Sequence, residues 1–267
     1  MGILRTMKDF TSHNLNEINN LNQRGGRMLS LVDLIERGTV PLELGAYFLS
    51  IFRMGANVLI GAEPGAAGKT TLMGALLGIL NPKIKIETLN NKIVRQLMEK
   101  GQSSAENSRP TAFTIHEIGS GNWYGYMWGK SVANALKILD DKTFLYSNLH
   151  PDTIQSVYST FESFGAQPEQ MLVFDLIIFL EYDYNHNPSR YIREVWQKNS
   201  TLNDKSLHHR KIYGHQKGFL LEKDKIDQFN SKEYKKAMQF LEECAKNKVL
   251  KIEAVQNHLN NNNCSSH

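Results

Sequence analysis

The sequence predicts an α/β fold, a mostly parallel sheet covered by helices on both faces, and three observations predict it. Apolar runs alternate with helix-patterned stretches from Asn57 to Tyr182, the rhythm of strand–helix–strand units. A glycine-rich turn, "GAEPGAAGKTTL", joins the first of those strands to a helix. With 267 residues, 41% hydrophobic and 22% charged, the chain can bury a full core.

Residues 1–27 are polar and Asn-rich and end in "NQRGGR", which predicts a flexible lead-in. "LSLVDLIERG" follows as a helix, with Ser30 as N-cap and Gly38 as its stop. "PLELGAYFLSIFRMG" opens a second helix on Pro41 and closes it on Gly55. The alternating core comes next. "NVLIGA", "IKIETL", "AFTIHEI", "KTFLYSNLH" and "LVFDLIIFLEY" read as strands. "KTTLMGALLGIL", "NKIVRQLMEKG", "KSVANALKIL" and "DTIQSVYSTFESFG" read as the helices between them, the second stopping on Gly101 and the last capped by Asp152. After Tyr184 the segments "RYIREVWQ", "RKIYGH" and "GFLLEKD" have the length of hairpin strands, and "SKEYKKAMQFLEECAKN" and "KIEAVQNHL" are helical. The expected division is therefore a core over 28–197, a C-terminal hairpin-and-helix appendage over 198–258, and a disordered tail over 259–267 that includes "NNNNCSSH".

Charge and composition exclude several classes. A net charge of +4 is an ordinary solvated surface, and no nucleic-acid partner is expected. The two cysteines, Cys244 and Cys264, lack metal-ligand spacing and predict free thiols in a reducing compartment. The start "MGILRTMKDF" is too short in apolar residues for a signal peptide. No run approaches the ~18 apolar residues of a membrane span. The longest, "MLVFDLIIFL", carries Asp175 and reads as a buried strand. These features predict a cytoplasmic protein.

The turn after "NVLIGA" has the chemistry of a phosphate-binding loop. A strand, a turn of small residues and a helix bring backbone N–H groups and a helix N-terminus to one point, where an anion can sit. Gly65, Ala66, Ala67, Gly68, Lys69, Thr70 and Thr71 are the candidate nucleotide-binding residues. Gly65 and Gly68 tolerate the positive φ that such a nest requires. Lys69 reaches the β- and γ-phosphates, and the Thr70 hydroxyl ligates Mg²⁺. One position departs from the pattern. Glu63 stands where the loop's first glycine belongs, and Gly61 comes two residues early. Pro64 holds Glu63 extended, which predicts that the glutamate points to solvent and that Gly65 makes the turn.

A hydrolase also needs a carboxylate near the γ-phosphate. Glu117, ending "AFTIHEI", is the candidate, on a strand expected beside the phosphate-loop strand. Alternation places His116 on the opposite face, as a packed histidine. Ser147, Asn148 and His150 end another apolar strand, at the edge where open α/β sheets bind ligands. "GNWYGYMWG" is an aromatic segment without interleaved basic residues, which favours an interface over base stacking.

Taken together these segments resemble the secretion ATPases, the motor family of type II and type IV secretion systems, pili and archaeal filaments. The resemblance spans about residues 28–197, from "SLVDLIERGTVPLELGAYFLSIFRMGANVLIGAEPGAAGKTTL" through "FTIHEI" to "YSNLHPDT". It implies a RecA-like P-loop core, with ATP and Mg²⁺ as ligands. It also implies Glu117, Lys69 and His150 as catalytic residues, with Thr70 and Glu117 at the metal. Beyond the chain it implies a hexameric ring and a membrane-embedded platform as partner. Gly119 replaces an arginine common in the family, and Glu87 is the candidate for its acidic box. Arg24, Arg27, Arg37 and Arg53 are the candidates for arginines that the family draws from a separate N-terminal domain. The reading that follows is an ATPase driving secretion or filament assembly. Two alternatives stay open: a non-hydrolysing nucleotide-binding module of such a machine, and a small-molecule kinase, which lacks here an arginine-rich lid.

Overall fold

The apolar runs become one sheet in the computed structural model of the chain, which describes residues 9–22, 25–63, 66–100, 109–199, 208–220 and 231–264. Strands β1 (Val58–Gly61), β2 (Lys85–Thr88), β3 (Thr111–Ile118), β5 (Thr143–Leu149) and β6 (Leu176–Tyr182) pair in parallel, and the short β4 (Tyr126–Met127) pairs with the end of β3. β7 (Arg190–Lys198), β8 (His209–Gly214) and β9 (Gly218–Phe219) follow as an antiparallel extension. The order is β2-β3-β5-β1-β6-β7-β8-β9. This mixed α/β architecture is the one the sequence predicts and is consistent with the RecA-like core that the resemblance implies. One expectation is corrected: β5, rather than β3, lies beside β1, so Glu117 is one strand further from the phosphate loop than expected.

Alternate residues along the central strands feed two separate cores, as the pleat requires. Val58 and Ile60 face a core shared with helices α2 (Leu31–Glu36), α3 (Leu42–Phe52) and α4 (Lys69–Leu77). Leu59 faces the other, built with α5 (Asn91–Lys100), α6 (Lys130–Lys137) and α7 (Ile154–Ser163). The C-terminal helices α8 (Lys232–Lys246) and α9 (Ile252–Cys264) pack into the first core through Phe240, Leu241 and Val255. The C-terminal segment is thus built onto the main sheet and its core.

Four local expectations change. Residues 11–20, expected in a flexible lead-in, form helix α1 (Thr11–Asn20), which buries Asn14 and Ile18. Its apolar stripe is thin, Leu15 and Ile18 joining the first core beside polar contacts to β2. The tail expected to be disordered continues α9 as far as Cys264. β6 starts at Leu176, because Pro168–Val173 coil into a 3₁₀ turn. Asp175 therefore precedes the strand, where it accepts the Asn57 backbone N–H at 2.8 Å. Finally, Thr153 rather than Asp152 caps α7. Ser30 does cap α2, in a reciprocal capping box with Asp33. The expectations on residues 1–8, on Arg24, Gly65 and Gly101, on 221–224 of "GFLLEKD" and on Ser265–His267 lie outside the described residues.

Candidate nucleotide site

β1 ends in Gly61 for a packing reason. A Cβ there would lie 2.3 Å from the Pro151 carbonyl and 2.8 Å from the Phe179 ring. The early glycine therefore lets the loop after β5 close over the end of β1. Glu63 is exposed, and it is not among the described residues with positive φ. Positive φ falls instead on Ala66 (φ 80) and Gly68 (φ 100), the latter opening α4. The backbone turn expected of the missing glycine is thus carried in part by an alanine.

The N-terminus of α4 faces a cavity of about 610 Å³, bordered by Ala66, Ala67, Gly68, Lys69, Thr70 and Thr71. Lys69 is buried, with Nζ 3.4 Å from the Ala62 carbonyl and 3.8 Å from Glu117 Oε2. Burial holds its pKa below the usual lysine value, and Glu117 opposes that shift. Glu117 reaches the same cavity from the end of β3. Burial pushes its pKa up, while Lys69 and His150 pull it down. Its Oε1 is buried without a hydrogen-bond partner, 3.9 Å from His150 Nε2. His150 lies at the rim, 65% exposed.

Other predicted residues fall elsewhere. Ser147 and Asn148 are fully buried and do not border the cavity. Asn148 Nδ2 instead donates to the His116 carbonyl at 2.9 Å, tying β5 to β3. His116 is packed as expected, with Nε2 3.1 Å from Thr88 Oγ1 and its ring edge-on to Tyr124. Burial lowers its pKa to about 4. It nevertheless borders the same cavity as Glu117, because the β3–β5 register shifts between Ile115 and Ile118 and breaks the alternation. Glu87 pairs with Lys85 at 2.9 Å and does not border the cavity.

The candidate arginines separate in the same way. Arg27 is taken by Asp33, at 2.5 and 2.6 Å. Arg53 donates to the Leu80 carbonyl and to Asn260 Oδ1, both at 2.8 Å, which joins α3 to α9. Arg37 borders the cavity, and so does Arg190, which sequence reasoning missed. No spacing signals Arg190, because it enters only when β6 and β7 pair and their turn folds back over the phosphate loop.

Among the described residues, no three His, Cys, Asp or Glu side chains group to hold a metal ion. A divalent ion here would depend on Thr70, Glu117 and the bound phosphates together. The uncommitted Oε1 of Glu117 and the hydroxyl in the first turn of α4 fit that requirement. Helices long and apolar enough to cross a membrane are absent among the described residues.

Comparison with known protein families and with curated proteins gives no match. Among solved structures, the chain is similar to the VirB11 ATPase of the Brucella suis type IV secretion system, crystallised with sulphate. Identity is 16% and the TM-score 0.37, over 63% of this chain and 56% of that one. The matched region thus spans little more than half of the VirB11 chain. A likeness this distant carries no function with it.

Proposed function

We propose that the chain binds ATP with Mg²⁺ and hydrolyses it, as a motor subunit of a secretion or filament-assembly machine. One observation carries the nucleotide half of this reading: a helix N-terminus, a buried lysine and a buried carboxylate converge on one cavity, with Lys69 and Glu117 3.8 Å apart. Both contacts of Lys69 are long. Phosphate oxygens approaching to about 2.8 Å replace them with stronger, charge-assisted bonds. The N–H groups around Gly68 add the helix terminus to that cradle.

Glu117 then loses its ammonium neighbour and is left with an uncommitted Oε1. A carboxylate whose pKa is raised by burial is a better acceptor for the proton of an attacking water than one in bulk solvent. His150 stands at the rim on the same side and can hydrogen-bond the water or the departing phosphate. Thr70 and Glu117 would hold Mg²⁺, which would supply neutralisation of the charge that develops on the phosphates.

The motor half rests on the sequence resemblance over residues 28–197. The hexameric ring and the platform partner belong to the proposal on the same ground. Steady-state ATPase assays and titration with a labelled ATP analogue test the reading together. Lys69→Ala is expected to abolish binding. Glu117→Gln is expected to keep binding and slow turnover by about 10²- to 10⁴-fold. ATP affinity unchanged in Lys69→Ala would exclude the phosphate loop. Binding without turnover in the parent protein would mark a non-hydrolysing regulatory module instead.

A further inference from the structure

Arg190 stands out among the cations around the cavity because part of it is committed and part is not. Its Nε donates to the Ala66 carbonyl at 2.9 Å, holding the phosphate loop at its positive-φ residue. Its guanidinium lies over the Tyr182 ring, with Cζ 4.5 Å from the centroid. Its Nη groups have no hydrogen-bond partner among the described residues, and the side chain borders the cavity. Arg190 Cδ packs beside Gly68, at an ordinary contact distance of 3.6 Å from where a Cβ would stand.

The segment that delivers Arg190 is braced. Asp183 N–H donates to the Ser189 carbonyl at 2.9 Å, closing the turn between β6 and β7. His186 Nδ1 lies 3.0 Å from the Pro188 carbonyl, and its Nε2 lies 3.2 Å from Nε2 of His215, the residue after β8. His215 in turn stacks on Tyr191, with centroids 4.1 Å apart. An arginine held at Nε and stacked on an aromatic face is preorganised, so fewer degrees of freedom are lost when its remaining donors bind.

Building on the proposed nucleotide site, we propose that Arg190 is a phosphate-reading arginine supplied by the same chain. It braces the loop through Ala66 and presents its Nη groups to the polyphosphate of a nucleoside triphosphate. The cavity's charge agrees with this ligand class: among the described residues, Lys69, Arg37 and Arg190 border it together with the single carboxylate of Glu117. A planar fork suits phosphate oxygens better than a point charge does. The remaining arginine of β7 nearest the site, Arg193, is spent elsewhere. It bonds the Asp152 carboxylate and carbonyl and so holds the loop that follows His150.

The test is a set of affinities for ATP, ADP and AMP, measured by calorimetry with Mg²⁺ on the parent, Arg190→Gln, Arg190→Lys and Lys69→Ala proteins. Thermal melts establish that each variant is folded. Arg190→Gln is expected to weaken ATP about tenfold to a hundredfold, the range for one lost charge-assisted hydrogen bond. The loss should shrink from ATP to ADP to AMP. Arg190→Lys should fall between Gln and the parent, because it keeps the charge without the fork. An equal loss for all three nucleotides, or for Lys and Gln alike, would mean that Arg190 only braces the loop and would overturn the inference. Parent-like affinities in Arg190→Gln, with binding lost in Lys69→Ala, would sink this inference and leave the nucleotide site standing. A parent protein that binds none of the three would remove both.

Discussion

At the scale of single residues, the strain in the phosphate loop sits where sequence inspection does not look. Glu63 occupies the position of the missing glycine, yet the positive φ belongs to Ala66. An L-residue in that region costs roughly 1–2 kcal/mol. Ala66→Gly is therefore expected to stabilise the protein by up to about 1 kcal/mol, since added unfolded-state entropy offsets part of the relief. A denaturant melt checks it, and a loss of stability would show that the backbone at Ala66 is not strained. Glu63→Gly, by contrast, is expected to change ATP affinity by about tenfold or less, because its exposed side chain meets the cavity only through screened charge. Titration of the two proteins at two ionic strengths measures that difference.

At the scale of elements, the informative case is α1. Its sequence "TSHNLNEINN" reads as linker because asparagines and histidine replace the expected apolar stripe. Those polar groups tie it to β2, while Leu15 and Ile18 pack into the first core. Asn14 lies buried against the edge strand β2, donating Nδ2 to the Ile84 carbonyl and accepting the Ile86 N–H at Oδ1, both at 2.8 Å. His13 Nε2 lies 2.8 Å from the Ile86 carbonyl. One side chain thus completes the ladder that an edge strand otherwise leaves open. Asn14→Ala should destabilise by about 2–4 kcal/mol, two buried backbone groups losing partners at ~1–3 kcal/mol each with partial relief from water. Hydrogen exchange at Ile86 should quicken with it. Unchanged exchange would mean that α1 does not protect this edge. The aromatic segment around β4 makes the same point in reverse: Trp123, Tyr124 and Trp128 remain more than half exposed, although Tyr124 also packs on buried His116.

At the scale of the whole molecule, acid should open the structure through its buried histidines. His209 joins three elements, with Nε2 2.9 Å from the Phe174 carbonyl and Nδ1 2.7 Å from the Tyr158 hydroxyl. Burial lowers the pKa of both His116 and His209 to about 4. An unfolded histidine titrates near ~6.5, so the unfolded chain binds these protons more tightly. The stabilising contribution is then fully present above about 6.5 and is lost as pH falls through about 4. The melting temperature should fall steeply across that window. His209→Gln, which can still donate to Phe174, should flatten the fall, and an equally steep slope in the variant would place the acid sensitivity elsewhere.

Sequence alone determined the features that depend on neighbours along the chain. The alternation of strands and helices, the cap at Ser30, the turn chemistry around Gly68 and the placing of Lys69 and Glu117 at strand or helix ends all follow from local periodicity and backbone preference. The tertiary structure decided which ends meet. Inserting β5 between β1 and β3 moved Glu117 one strand away, yet the reach of the lysine and glutamate side chains still brings the pair together. Folding the β6–β7 turn over the loop brought Arg190 to Ala66 across 124 residues of sequence. Such contacts depend on strand order and on loop closure, and no spacing between residues records either one.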